Sequence, residues 1–516
     1  MTDSTTQGAA TQGTTTQGTT TQGTTTQGTT NQGTTTQGTT NRSTTPTSSA
    51  FTEHIQSGWA ERETATPAPR AAAAPAAEHR ARLSAMHPGV RLVIPAGSLK
   101  VRSNDTDYPF RAHPDFTYLT GWGSDAEPDS VLVLEPVQAD DAEGDGHDAT
   151  LYFRGPAGRG TTEFYANPAI GEFWVGPRPS LAHVAADLGL ATADLGELDA
   201  VLEADGPALV VTGADPDVEA RVADANPDGD ILARDLSELR LVKDAWEIGE
   251  VQAAVDATAR GFDDVIADLA EATRHERGER IVEGAFHRRA RLDGNAVGYD
   301  TIAASGHHAC YLHWTRNDGQ VREGDLILLD AGVEVDSLYT ADITRTLPIS
   351  GTFTDVQRRV YDAVVEAADA AFAIVKPGIV FKEVHAAAME VIARKTAEWG
   401  LLPISAEESL EPDQQLHRRW MVHGTSHHLG LDVHDCAAAR RDFYHDGIVR
   451  EGMVFTIEPG LYFQADDLTV PEELRGIGIR IEDDIVVTAD GARNLSAAIP
   501  RSADEVEAWM REVRER

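Results

Sequence analysis

Cysteine is nearly absent: Cys310 and Cys436 are the two in 516 residues. Two thiols build neither a disulfide framework nor a zinc cluster, and the expected compartment is a reducing cytoplasm. Long apolar runs are lacking as well; none reaches the roughly 18 residues that would mark a membrane-spanning helix. The opening MTDSTTQGAA has neither the basic nor the apolar region of a secretory signal. Positive charge is scarce: 44 Lys and Arg stand against 83 Asp and Glu, a net charge of -39. Such a surface repels nucleic acid and anionic membranes, so neither is expected as a partner, and most of the acid is read as a solubilising surface. Both charge and apolar residues are scarce in the N-terminal arm. Through Ser49 the only charges are Asp3 and Arg42, and TQGTTT recurs between residues 5 and 40. With almost nothing to bury, this arm cannot offset its ordering entropy. The hexad also lacks the apolar position that a β-helix coil needs inside. Residues 1–75 are therefore expected to be a low-complexity, disordered tail, with TATPAPRAAAAPAAE a linker or a frayed helix start.

What remains is ample. Hydrophobic residues make up 41 % of the chain, and at roughly 100–200 residues per domain the length allows two or three domains. From about residue 78, VRLVIPAG, DSVLVLEP, ATLYFRG and ALVVTG read as buried strands, with helical stretches such as SLAHVAADLG between them. The alternation predicts an α/β domain over residues 76–242. Residues 243–516 follow another plan. Two helices, DAWEIGEVQAAVDATARGFDDVIADLAEAT and GERIVEGAFHRRARLDG, lead to the strands DLILLDAGVEV and LYTADITRTLPI. Two more, TDVQRRVYDAVVEAADAAFAIVKPG and FKEVHAAAMEVIARKTAEWG, lead to GMVFTIEPGLYF and GIGIRIEDDIVVT. Two helices then two strands, twice over, predict an internal duplication about a pseudo-twofold axis, and an α+β class overall.

Chemistry concentrates in the second domain. HGTSHHLGLDVHD, residues 423–435, holds four histidines and two aspartates. Its spacing matches no zinc signature such as H-E-x-x-H, so by itself it fits a polar loop of satisfied histidines as well as a metal site. The strands weigh more. A hairpin centred on Asp336 places Asp330 opposite Asp342, on one face, with Cβ atoms roughly 4.5–5.5 Å apart. A buried pair of like charges calls for a cation or a shared proton. Glu458 ends an apolar run in TIEPG. Glu482 follows Arg480 by two residues in IRIED, so both point to one face. With one imidazole of the histidine-rich stretch, the acids form a hard, oxygen-rich set suited to manganese, cobalt or zinc. Four negative charges balance two divalent ions, which bridging carboxylates hold about 3.5–4 Å apart.

In order, the blocks LHWTRND, LLDAGVEVDSLYTADITRTLPISGTFT, MVHGTSHHLGLDVHD, MVFTIEPGLYF and RGIGIRIEDDIVVT resemble the aminopeptidase P (Xaa-Pro aminopeptidase) branch of the pita-bread metallopeptidases. NDTDYPFRAHPDFTYLTGW resembles that family's N-terminal domain, while the repetitive tail has no counterpart. The resemblance implies a pita-bread catalytic domain and two divalent ions, manganese first, with cobalt or zinc as alternatives. It implies that Asp330 binds one ion, Asp342 and Glu482 bridge, and His427 and Glu458 serve the second. His313, His423 and His434 become substrate-facing histidines, and Arg480 orients Asp342 or Glu482 from outside the ligand set. Asp105 and Arg111 are implied to reach an active site at a subunit contact, and Trp174 to cap a neighbour's site in a dimer or tetramer. Glu458 is the expected general base or acid, and His423 or His434 the donor to the developing oxyanion. His428 stands where the family carries a bulky aromatic; on an extended segment it points away from His427 and is not a ligand. The implied reaction is hydrolysis of the first bond of peptides with proline in second place. The rivals are a prolidase, with Arg440 or Arg441 holding the dipeptide carboxylate, and a non-catalytic, peptide-binding relative of the same fold.

Overall fold

The computed structural model describes residues 45–60, 66–104, 106–137, 146–222 and 230–516. The TQGTTT repeat and Asp105 lie outside them. The described residues from Ser49 to the C-terminus form one compact unit. Inside the segment read as tail, Ser49–Ile55 is helical. Phe51 meets the Tyr165 ring at 5.2 Å, Trp59 meets Phe164 at 6.1 Å, and Arg159 lies 4.1 Å over Trp59. Three aromatic contacts anchor a short segment that the surrounding threonine repeat obscured.

The N-terminal part is built on a five-stranded mixed sheet in the order Ala191–Asp194, His147–Phe153, Val131–Pro136, Arg91–Pro95, Ala208–Val210. The interior strand Arg91–Pro95, RLVIP, is buried throughout, as expected where both faces are covered. Alternation divides its side chains: Leu92 and Ile94 join Leu83, Phe116 and Trp122 in the main core, while Val93 joins Leu198, Val218 and Val222 on the other face.

The C-terminal part carries the expected duplication. Ala245–Ala272 packs on Gly278–Asp293, and Asp355–Ile374 on Lys382–Glu398. The first helix of each pair starts at a capping box, Asp244 with Glu247 and Thr354 with Gln357, which satisfies orphan backbone donors at both ends of the motif. The first pair leads to the sheet Ile302–Ser305, Leu326–Ala331, Ile343–Pro348; the second leads to Val454–Ile457, Asp483–Val487, Ala492–Asn494. The halves meet where Glu482 N–H donates to the Thr344 carbonyl at 3.1 Å and Thr346 Oγ1 donates to the Arg480 carbonyl at 2.9 Å. Arg345, fully buried, donates to the carbonyls of Thr344, Glu482 and Ile499 and to Asp483, and so rivets the junction.

The hairpin register differs from the expected one. Asp330 pairs with Thr344 and Leu326 with Pro348, which centres the turn on Ser337. Val335 N–H donates to the Tyr339 carbonyl, enclosing a three-residue loop that ends on a left-handed Leu338, φ 70°. Three-residue loops of this type close on a left-handed residue, and a leucine gives no sign of it. The ladder moves by two positions, so Asp342 is a diagonal neighbour of Asp330 and still shares its face. Gly332 is required here, since a Cβ would stand 1.7 Å from the Ala341 carbonyl oxygen. No helix among the described residues is long and apolar enough to cross a membrane.

Candidate active site

A cavity of about 680 Å³ opens over the junction of the two halves. Asp330, Asp342, His427, Glu458 and Glu482 line it together with His313, His423, His434 and Arg480. Asp330 and Asp342 come from the first hairpin. Glu458 and Glu482 stand at an interruption of the second, between the pairs Ile457 with Asp483 and Gly460 with Arg480. Pro459 breaks that ladder, because proline has no N–H to give, and the two glutamates face each other across the gap.

His427 is placed by an added edge of sheet. Thr456 N–H donates to the His427 carbonyl at 3.0 Å, Leu429 N–H donates to the Val454 carbonyl at 3.2 Å, and His428 bridges to Phe455. Alternation along this extended segment turns His427 into the cavity and His428 away from it. His427 Nε2 lies 3.2 Å from Asp342 Oδ2 and 3.5 Å from Glu458 Oε1. His428 is fully buried, stacked on Phe381 at 4.6 Å and edge-on to Tyr444 at 4.7 Å.

The electrostatics demand positive charge. Burial pushes Asp330 above the ordinary carboxylate range; Arg480 opposes that shift and Asp342 adds to it. Burial, then Asp342, Glu458 and Asp330, drive Glu482 well up. Glu458 is held at about 7 by burial and Asp342 against the pull of His427. Although burial works against it, His427 is raised to about 9 by Asp342 and Glu458. Asp342, His427 and Glu482 bring one ligand atom each within 4.8 Å of one another. Crowded buried carboxylates with a neighbouring imidazole are the donor set hard divalent ions prefer, so the residues fit a metal cage.

Arg480 corrects the expectation. It does not orient Asp342 or Glu482; Nη2 donates to Asp330 Oδ2 at 2.5 Å, Nη1 to Tyr462 at 3.1 Å and Nε to Thr344 at 3.1 Å. The two-position register shift puts Asp330 and Thr344 side by side, within reach of one guanidinium. Glu482 is served instead by the Thr344 hydroxyl, which donates to Oε2 at 2.7 Å. His423 Nε2 sits 2.8 Å from the Tyr462 hydroxyl, and burial, then Arg480, lowers it to about 3, a neutral imidazole. His434 meets His427 edge-on at 4.4 Å, and burial, then His427, lowers its pKa. His313 lies on the cavity wall beside Leu312.

Two expected residues, Arg111 and Trp174, do not line the cavity. Arg111 donates to Glu334 Oε2 at 2.6 Å, to Asp432 at 3.3 Å and to the Leu431 carbonyl. Trp174 is 56 % exposed, outside the cavity, its indole N–H on the Tyr165 carbonyl. Asp105 is outside the described residues. Arg440 and Arg441 are committed to Glu238 and Asp446, and neither lines the cavity. Several supporting residues escaped the sequence reading. Tyr299 donates to Asp330 Oδ1 at 2.6 Å. Buried Glu279 accepts from Trp314, from the Ser305 and Gly319 N–H groups and pairs with His308, which steadies the segment bearing His313. No local spacing marks a partner so far away in the chain.

Residues 249–489 match the model of metallopeptidase family M24, and residues 76–207 that of the aminopeptidase P N-terminal domain. Xaa-Pro aminopeptidase 1 of Streptomyces coelicolor is 55 % identical over 469 residues, 90 % of this chain and 92 % of that one. Xaa-Pro aminopeptidase of Escherichia coli is 34 % identical over 445 residues, 82 % of this chain and 94 % of the relative. A glutamate-to-alanine variant of E. coli aminopeptidase P in complex with substrate superposes with a TM-score of 0.73 at 31 % identity, over 88 % of this chain and all of that one. The aminopeptidase PepP of Pseudomonas aeruginosa gives 0.74 at 29 % identity, over 87 % of this chain and 100 % of that one. With both domains matched in order and the carboxylates and histidines gathered in one cavity, this chain belongs to metallopeptidase family M24, in its aminopeptidase P branch with the pita-bread catalytic fold.

Proposed function

We propose that this protein is a dinuclear-metal aminopeptidase that releases the first residue from peptides carrying proline in second place. The observation that carries the reading is the convergence of Asp330, Asp342, His427, Glu458 and Glu482 on one cavity whose wall holds His313, His423 and His434. The five would hold two divalent ions. Manganese is the first choice, with cobalt and zinc as alternatives, since all accept hard oxygen donors and one imidazole. When bound, such ions polarise the scissile carbonyl and bring the pKa of water toward about 7.

The chain's own groups do the rest. Glu458 takes a proton from the attacking water on its carboxylate and returns it to the departing proline nitrogen. His423 and His434 donate toward the carbonyl oxygen as charge develops there. Arg480 and Tyr299 fix Asp330 from two sides, which keeps the cage in register. The substrate's free amine is placed at Asp342, and its proline against His313, Leu312 and Val433. The prolidase reading loses its proposed anchor, because Arg440 and Arg441 are both paired away from the cavity.

Three finer points belong to the same proposal. The functional boundary between the domains lies at residues 242 and 243. Trp174, with Phe173 and Val175 exposed beside it, is offered to a neighbouring copy in a dimer or tetramer. The protein works in the cytoplasm, a reading supported by Cys310 and Cys436 being free and buried. Assay of Xaa-Pro-Xaa tripeptides against Xaa-Pro dipeptides, before and after a chelator, tests the whole. Tripeptides are expected to be cleaved faster, with loss of activity on chelation, recovery with manganese and about two ions bound per chain. Chelator-insensitive cleavage, or none at saturating metal, overturns the reading.

A further inference from the structure

We infer that the N-terminal domain and the domain junction position the active site: Asp115, Arg240 and Lys243 hold the loop Gly430–Asp435, and through it His434, in its substrate-facing place. The inference rests on the proposed role of His434.

A chain of buried charges runs from the N-terminal domain to this loop. Asp115, in the first turn of the helix Pro114–Thr120, accepts from Arg240 Nη1 at 2.5 Å. Arg240 Nη2 lies 3.1 Å from Asp435 Oδ1. Lys243 Nζ lies 2.9 Å from Asp435 Oδ2, the two side chains 0 % and 1 % exposed. A second anchor is Arg111, which joins the Leu431 carbonyl, Asp432 and Glu334. The loop has no regular structure of its own to hold it. Its internal support is the Gly430 N–H on the Asp432 carbonyl and the Asp435 N–H on the His428 carbonyl.

The backbone yields to the charges. Cys436, next to Asp435, sits at φ 61°, a strained value for a residue with a Cβ. Gly430 leaves the space the ion pair occupies: a Cβ there would stand 2.4 Å from Asp435 Oδ2 and 2.8 Å from Lys243 Cε. Strain of this kind persists only where the surroundings over-determine it. Fully buried ions add little net stability once desolvation is counted, so what this chain of charges supplies is registry. His434 makes no side-chain hydrogen bond among the described residues. Apart from its edge contact with His427, its position is set by Asp435, one residue on.

The experiment uses the full-length, metal-loaded enzyme well below its unfolding temperature. Asp115→Asn is expected to lower kcat/KM on an Xaa-Pro tripeptide by at least about tenfold, with metal content unchanged. In a His434→Ala background the same substitution is expected to add less than about twofold, because its effect acts through that side chain. Arg111→Gln, a milder change at a half-exposed residue, repeats the test should Asp115→Asn fold poorly. The His434 ring signal in protein carrying isotope-labelled histidine is expected to shift in both variants, with no substrate present. Variants that keep kcat/KM within about twofold, an undiminished loss in the His434→Ala background, an unmoved His434 signal or a loss of bound metal each overturn the inference. Failure of the wild type to cleave the tripeptide would overturn the proposed function instead, and the ring signal would still decide the coupling.

Discussion

Glu458 stands between His427 and His423, its carboxylate oxygens 3.5 Å and 3.6 Å from their ring nitrogens. That position suits a group that must accept and return a proton during one turnover. Glu458→Gln is expected to lower kcat by about 10²–10⁴-fold, the usual worth of a positioned acid or base, with the thermal transition retained; steady-state kinetics on a tripeptide checks it. His428 presents the opposite case. Its ring is buried in an aromatic nest of Phe381, Tyr444 and Phe455, and among the described residues neither ring nitrogen makes a well-formed hydrogen bond. An unsatisfied buried polar group costs about 1–3 kcal/mol, so His428→Phe should stabilise the protein by a similar amount in denaturant unfolding. A loss of stability would show that the imidazole is satisfied after all. Choosing His427 over His428 as the expected ligand needed the family motif, since both are imidazoles in one extended run; the edge pairing turns His427, and not His428, into the cavity.

At the scale of elements, helix boundaries were the most legible. Ser180 before Leu181–Leu188 and the left-handed Gly189 after it are local signals that act locally. The same holds for the 20-residue helix Asp355–Ile374, whose capping box is written as TDVQ. Thr354→Ala is expected to cost about 1 kcal/mol, the usual value of an N-cap, with kcat unchanged; thermal unfolding beside an activity assay separates the two. Hairpin register was less legible. The difference between a turn centred on Asp336 and one centred on Ser337 rests on one left-handed leucine. Two positions of slip kept the carboxylates on their face but changed which of them Arg480 touches.

For the whole molecule, the domain junction makes a statement about acid stability. Burial works to raise Asp435, but Lys243 and Arg240 outweigh it and hold the carboxyl at about 2, against 3.8 for the free group. A carboxylate depressed in the folded state contributes stability above its unfolded pKa and loses it as the pH falls through the folded one. Asp435→Asn should therefore cost about 3–5 kcal/mol near neutral pH, the price of breaking a buried pair. The gap between variant and wild type should narrow as the pH drops from about 4 toward 2. Denaturant unfolding across that range decides it; a gap independent of pH would assign the loss to packing. Chelation acts on a different part of the molecule and should abolish cleavage while leaving this pH dependence in place.

Composition, periodicity and motif order settled the two-domain plan, the duplicated helices and strands, and the acids and histidines of the cavity, because each is written over a few neighbouring residues. Tertiary structure alone decided that Arg480 serves Asp330, that Arg111 turns inward to Glu334, and that Lys243 lies under Asp435, 192 residues away. Nothing local encodes such pairs. Their partners are chosen by which strands and loops are brought together when the core closes, and by the high cost of leaving any buried charge without one.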